Sequence, residues 1–260
     1  MADLRTWLSR RHSLGVELGL VVGLYITYET VRGIFGGKRS VALRHAGDVV
    51  SAERALHVFV ESSVQRSAEA IPHLAGALGI AYLLVHLGIT SAVLLWLHQR
   101  RPRAYPFFRT TLLVSGGLAV VGYAVFPTAP PRLSGLGMLD PVASLSSVNL
   151  NRGLVSALYD PYAAMPSMHA GYALVVGVAL LTQGRHLLTR LIGIAYPAFV
   201  VFVIVATGNH FLLDAAAGAL VAVVAAAGTA LLLRPRPGVL RAASVSRVSA
   251  AEPSFVRRVA

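Results

Sequence analysis

Apolar residues in this chain fall into long, nearly uninterrupted runs: Leu14 to Gly33, Leu74 to Leu97, Thr110 to Phe126, Ala163 to Leu181, Leu187 to Thr207 and Phe211 to Leu233. Each approaches the about 20 residues that a helix needs to cross roughly 30 Å of hydrocarbon. The pattern predicts an all-α, polytopic membrane protein with a bundle of about six transmembrane helices. The first run follows a basic segment with Arg5, Arg10 and Arg11, is interrupted by Glu17 and Glu29, and lacks a small-residue cleavage site. It reads as a retained span, not a removed signal. Between the first two runs, Gly36 to Glu69 carries Lys38, Arg39, Arg44, Arg54 and Arg66 against Asp48, Glu53, Glu61 and Glu69. Its residues Val49, Ala52, Ala55, Leu56, Val58, Phe59 and Val64 repeat at roughly helical spacing, which predicts an amphipathic helix lying in the interface; a solvated connector is the competing reading.

The expected organisation is a cytoplasmic N-terminus over 1–13, one membrane domain over 14–233 and a basic tail over 234–260. The tail, rich in arginine, serine, alanine and proline, is expected to be disordered. No internal repeat and no second soluble domain is evident.

Composition sharpens the class. Of the 260 residues 55% are hydrophobic and 13% charged, with no cysteine, so disulfides and thiolate metal sites are excluded. The net charge of +12 falls in short clusters between apolar runs, without the aromatic and basic groove pattern of a nucleic-acid binder. Orientation and anionic lipid explain it instead. Arg100, Arg101, Arg103 and Arg109, then Arg185 and Arg190, then Arg234, Arg236 and Arg241 alternate with arginine-poor connections. That alternation predicts a multi-pass protein of the cell membrane with both termini cytoplasmic. The Pro127 to Ala164 loop and the Thr207 to His210 turn then face the other side, with His169 and Asp214. The arginines of Gly36 to Glu69 run against this assignment.

Candidate chemistry gathers at two helix starts. Pro166-Ser167-Met168-His169 opens one run, and Gly208-Asn209-His210 opens another that carries Asp214 one turn later. A histidine and a carboxylate at i and i+4 share a helix face, so Asp214 is placed to hold the His210 imidazole and free its other nitrogen as a nucleophile. Pro166 suits a first helical turn, whose amides, with the Ser167 hydroxyl and the His169 imidazole, form a cradle for phosphate. Pro127-Thr128-Ala129-Pro130-Pro131-Arg132 is a stiff run ending in a fork donor for phosphate, with Arg152 as a reserve. Glu17, Glu29, Arg32 and His86 are expected to satisfy one another or face the bundle interior. The histidines and Asp214 are also zinc-ligand types, yet no third histidine or acid stands at ligand spacing, so neither metal nor other cofactor is expected.

Pro166-Ser167-Met168-His169 and His210-Phe211-Leu212-Leu213-Asp214 resemble the second and third signature motifs of the type 2 phosphatidic acid phosphatase superfamily. The Pro127 to Arg132 run, followed by Tyr162-Ala163-Ala164-Met165-Pro166-Ser167, is similar to the branch containing fungal inositol phosphorylceramide synthase. The likeness covers about Gly47 to Leu220. It implies a six-helix membrane core and metal-independent chemistry through a phosphohistidine. His210 would then be the nucleophile, Asp214 its orienting partner, His169 the acid and base, and Ser167 a phosphate ligand. The superfamily's first motif is absent as such, with Pro131-Arg132 in its place. Val203 and Ile204 stand where the third motif carries Ser-Arg, a loss that Asn209 is positioned to offset.

The expected activity is hydrolysis of a lipid phosphate ester on the extracytoplasmic face. Transfer of an inositol-phosphate or similar head group is the alternative, and a non-enzymatic carrier or channel lined by the histidines is the rival from another class. The bilayer and its lipid phosphates are the only partners expected, with no protein partner.

Overall fold

The computed structural model describes residues 7–8, 10–34, 39–141 and 162–234. Arg152, residues 1–6 and the 235–260 tail lie outside the described residues, as do the side chains of Glu29 and Arg32. The helices are α1 (Leu14–Ile34), α2 (Arg39–Ala55), α3 (Glu61–Glu69), α4 (Leu74–Ile80), α5 (His86–Arg100), α6 (Tyr105–Val125), α7 (Met168–Gln183), α8 (Leu187–Ala206) and α9 (Leu212–Leu233). A π turn at Ala81–Val85 joins α4 to α5, and a 3-10 turn occupies Pro131–Leu133. Among the described residues β pairing is confined to one parallel bridge, Thr128 to Ala163.

Helices α6, α8 and α9 are long and apolar enough to cross a membrane. The pair formed by α3 and Leu74–Leu84, bent by 115° at its break, adds a fourth if it is one span. The described residues therefore carry three or four such spans by length and composition, against the about six that apolar run length predicts. The difference has local causes. Helix α7 has 16 residues because Tyr162 to Ala164 pair in extended form with Thr128, so the helix starts at Met168 and not Ala163. The Leu74 to Leu97 run is interrupted by the π turn.

Helix α7 lies centrally, packed against α5, α6, α8 and α9. Ala173, Val176 and Ala179 meet Tyr196, Val200, Ile204 and Ala222 in the main core. Leu187, Ile194, Phe202, Val223 and Leu231 point outward and exposed, so α8 and α9 are apolar all round, as in a lipid-facing helix. At one end Arg101 donates to the Gln183 carbonyl through Nε (3.1 Å) and NH2 (3.0 Å). At the other the Tyr123 hydroxyl donates to the Pro166 carbonyl at 3.0 Å. Arg100, Arg103, Arg185, Arg190 and Arg234 share the Arg101 end, and the starts of α7 and α9 share the Pro166 end. Those two starts lie side by side because α9 offers Gly218 there; a Cβ at this position would overlap the Ser167 carbonyl.

Two polar features differ in part from expectation. Glu17 faces the bundle interior, the second of its two expectations, where it accepts from Arg109 (2.7 Å), the Tyr105 hydroxyl (3.1 Å) and the His12 amide (2.9 Å). Arg109 is accordingly buried, not exposed with its cluster, and also donates to the Leu8 carbonyl at 2.7 Å. The segment expected as one amphipathic helix is two, α2 and α3, separated by a reversal in which His57 takes φ 60°. Helix α2 buries Ala42, Ala46, Val49, Val50 and Glu53 against Ala129 and Phe211, while Ala52, Ala55 and Leu56 of the expected stripe are exposed. It also grips the Pro127 to Arg132 run: the Ala129 amide donates to the Ala42 carbonyl (3.1 Å), and His45 Nδ1 donates to the Pro127 carbonyl (2.8 Å).

Candidate active site

The turn between α8 and α9 sets the position of His210. Gly208 takes φ +65°, a left-handed conformation that glycine accepts without strain, and the Asn209 and His210 amides both donate to the Ile204 carbonyl, at 3.1 and 3.2 Å. His210 precedes the helix: Phe211 is the N-cap and Asp214 the third helical residue, with the Phe211 amide donating to Asp214 Oδ2 at 2.9 Å. The i, i+4 proximity therefore comes from the cap and not from a shared helical face. His210 Nδ1 lies 3.5 Å from Asp214 Oδ2 but only 2.9 Å from the Ala164 carbonyl oxygen. A carbonyl only accepts, so Nδ1 carries the hydrogen and Nε2 of the neutral ring holds the lone pair. Ala164 is presented by the same bridge that pairs Thr128 with Ala163.

His169 is the second residue of α7, after Ser167 as N-cap; Pro166 stands one place ahead of the first turn expected for it. Its ring stacks on Tyr82 (4.5 Å between centroids), contacts His86 (4.7 Å), and lies 5.7 Å from the His210 ring. Tyr82 belongs to the π turn and His86 follows it, a local widening of the helix of the kind often found at functional sites. His86 thus faces His169 in the bundle interior, the second of its two expectations. The signal for it was a lone histidine inside an apolar run.

The remaining candidates surround the two rings. The Ser167 amide donates to the Asp214 carbonyl at 2.9 Å, whereas its hydroxyl is buried without a hydrogen-bond partner. Arg132 Nε donates to Asn209 Oδ1 at 2.9 Å, its amide to the Gly208 carbonyl at 3.0 Å, and its NH1 lies 3.2 Å from Asp140. Arg132 and Asn209 are thereby tied together beside His210. Asn209 is braced in turn by the Thr207 hydroxyl at 2.9 Å.

Two acids that sequence reasoning treated as charge balance belong to the same structure. Leu212 donates its amide to Glu61 Oε1 (2.9 Å) and Leu213 its amide to Glu53 Oε1 (2.7 Å), next to the Phe211 bond to Asp214. Three consecutive amides at the α9 start are thus matched by carboxyls from α2, α3 and α9. Burial pushes the Glu53 carboxyl up to about 8; the neighbouring Glu61 carboxyl and the charge of Asp214 add to the rise, and the Leu213 amide opposes it. Among the described residues no group of three His, Asp or Glu is arranged to hold a metal ion.

Residues 47–228 match the family model of the PAP2 superfamily. The chain belongs to the PAP2 superfamily. The match begins within α2 and ends within α9, so it takes in Glu53, Glu61, His86, Arg132, Ser167, His169, Asn209, His210 and Asp214 and leaves α1 outside. PAP2 membership supports a phosphatase or phosphotransferase type of lipid enzyme, and the apolar helices fit a membrane protein. No curated protein and no solved structure matches the chain.

Proposed function

We propose that this PAP2 protein is a lipid phosphatase working through a phosphohistidine on His210. The observation that carries the reading is the bond from His210 Nδ1 to the Ala164 carbonyl at 2.9 Å, which commits Nε2 to attack. The His169 ring, 5.7 Å away, handles protons. Nε2 attacks phosphorus and forms an N–P bond as the bond to the lipid's ester oxygen breaks, and protonated His169 gives its proton to that oxygen. Water then attacks the phosphoryl group while His169 takes a proton from it, and the N–P bond breaks to release phosphate. Asp214 offsets the positive charge that grows on the attacking ring. Arg132, the unpartnered Ser167 hydroxyl and Asn209 meet the negative charge that grows on the phosphoryl oxygens.

The same reading places six spans in the cell membrane: α1, the α4 to α5 stretch, α6, α7, α8 and α9. Helices α2 and α3 then lie in the extracytoplasmic interface over the site, and both termini face the cytoplasm. The arginines gathered at the end opposite the two histidines support this orientation. Because the chain has no cysteine, single reporters test it cleanly. Leu139→Cys is expected to react with an impermeant thiol reagent in intact cells and Arg103→Cys only after the membrane is opened. The opposite pattern would put the site in the cytoplasm.

A second reading, transfer of the phosphoryl-bearing group to a lipid or polyol hydroxyl, draws on one further contact. The two segments that resemble the inositol phosphorylceramide synthase branch meet at the Thr128 to Ala163 bridge, beside His210. A panel of radiolabelled phospholipids, assayed with and without alcohol acceptors, separates the cases. Labelled inorganic phosphate marks hydrolysis, a labelled phosphodiester made only with acceptor marks transfer, and retained label with lipid bound marks a carrier.

Arg132→Ala is expected to raise KM and lower kcat together, for a loss in kcat/KM on the order of 10²-fold, since a fork donor to phosphate acts in both the ground and transition states. Unchanged kinetics would reduce Arg132 to a tie between its loop and Asn209.

A further inference from the structure

Glu53 and Glu61 form a buried acid pair that the phosphoryl chemistry does not use. Both are fully buried, and both spend Oε1 on amides of the first turn of α9. Their second oxygens, Glu53 Oε2 and Glu61 Oε2, are buried with no donor to satisfy them. The two carboxyl groups hold the consecutive amides of Leu212 and Leu213, so they lie side by side at the start of α9. Two carboxylate oxygens cannot bond without a proton, and two unpaired carboxylates in dry surroundings repel strongly. Arg54, beside Glu53 in sequence, lies over the Phe59 ring 5.1 Å from its centroid, and neither glutamate makes an ion pair among the described residues. The charges facing Glu53 are Glu61 from α3 and Asp214 from α9. The partial positive charge of the α9 start offsets part of one negative charge and not three.

We infer that Glu53 and Glu61 share one proton and act as positioning residues, a protonated clamp that fixes the first turn of α9 and with it the His210 ring. This rests on the reading of His210 as nucleophile. One proton satisfies both orphaned oxygens and lets each partner keep its amide. The clamp joins α2 and α3 to α9 across 160 and 151 residues of chain, so it also closes the segment that grips the Pro127 to Arg132 run over the site. Neutral pH sustains the proton, because the raised Glu53 value of about 8 exceeds an ordinary carboxyl's 4.5. The folded chain holds this proton more tightly than an unfolded one. Its stabilising effect is therefore complete below pH 4.5, declines as pH rises, and is lost through about pH 8.

The test uses the full chain in detergent and two measurements, one of them independent of any substrate. Thermal unfolding of the wild type is expected to shift down by several degrees as pH climbs toward 8. Glu53→Gln, whose amide both accepts from Leu213 and donates to Glu61 without titrating, is expected to flatten that slope. A wild-type slope retained in Glu53→Gln, or a wild-type midpoint already flat across this range, would overturn the shared proton whatever the substrate proves to be. In the lipid phosphate assay Glu53→Ala is expected to lower kcat by roughly 10 to 100-fold with little change in KM, as a misplaced nucleophile does. Glu53→Gln is expected to recover most of that loss and to move the alkaline limb of the kcat profile upward. Wild-type kcat in Glu53→Ala would overturn the positioning role. A wild type inactive on every lipid phosphate, with the stability slope intact, would instead overturn the reading of the site and leave the proton pair standing.

Discussion

Replacing His210 with glutamine is expected to reduce turnover of a lipid phosphate on the order of 10⁵-fold or more, the scale on which deleting a nucleophile acts in other enzymes. Glutamine is the informative choice because its side-chain amide can still donate toward the Ala164 carbonyl, the nearer of the two partners of Nδ1. The turn and the α9 cap are then preserved, so unfolding in detergent stays near wild type and the lost rate reports the missing Nε2. The wild type, quenched during turnover, is expected to carry acid-labile, base-stable phosphate on His210. Persistent turnover in the His210→Gln protein would refute histidine attack. Asp214→Asn is expected to be milder, since the side chain keeps an oxygen for the Phe211 amide and deletes no attacking atom.

Loss of His169 is the second large effect, and its size is expected to depend on the leaving group. With an alkyl phosphate ester, His169→Phe removes the proton donor and slows turnover by roughly 10² to 10⁴-fold. Phenylalanine keeps a ring between Tyr82 and His86, so the stack survives the change. A nitrophenyl phosphate departs without a proton, so the first step recovers while the second, which needs a base to activate water, does not. Phosphohistidine is then expected to accumulate in the variant. Equal losses on both esters, without accumulation, would assign His169 to binding and not to proton transfer.

How much of this was legible in the sequence follows the range of each interaction. Class and helical architecture were readable because apolar length is a local property, and the runs that became α6, α8 and α9 are nearly uniform. The two motif histidines were readable because each helix start carries its own signal within a few residues. Helix boundaries near the site were less so: the start of α7 is set by pairing of Ala163 and Ala164 with Thr128, which lies about 35 residues earlier in the chain. Glu17 and Arg109 find each other across 92 residues, so local spacing carries no sign of that partner. Glu53 and Glu61 sit among arginines in a polar segment and look like charge balance until α9 folds against them. The His210 and Asp214 spacing was readable, but its physical basis was not, because i, i+4 on a helix and N-cap geometry produce the same interval.

The length of α7 bears on how a lipid reaches the histidines. At 16 residues and 1.5 Å per residue it measures about 24 Å, short of the about 30 Å of a typical hydrocarbon layer. Its far end is held by Arg101 at the charged end of the bundle, so in the proposed six-span arrangement the shortfall would collect at Ser167 and His169. The proposed reaction centre would then lie several ångströms beneath the headgroup plane, and tilting the helix would deepen it. A lipid phosphate would have to slide in from the leaflet and sink to that depth, displacing apolar surface as it goes. In that arrangement local bilayer thickness would set a threshold that head-group chemistry alone does not.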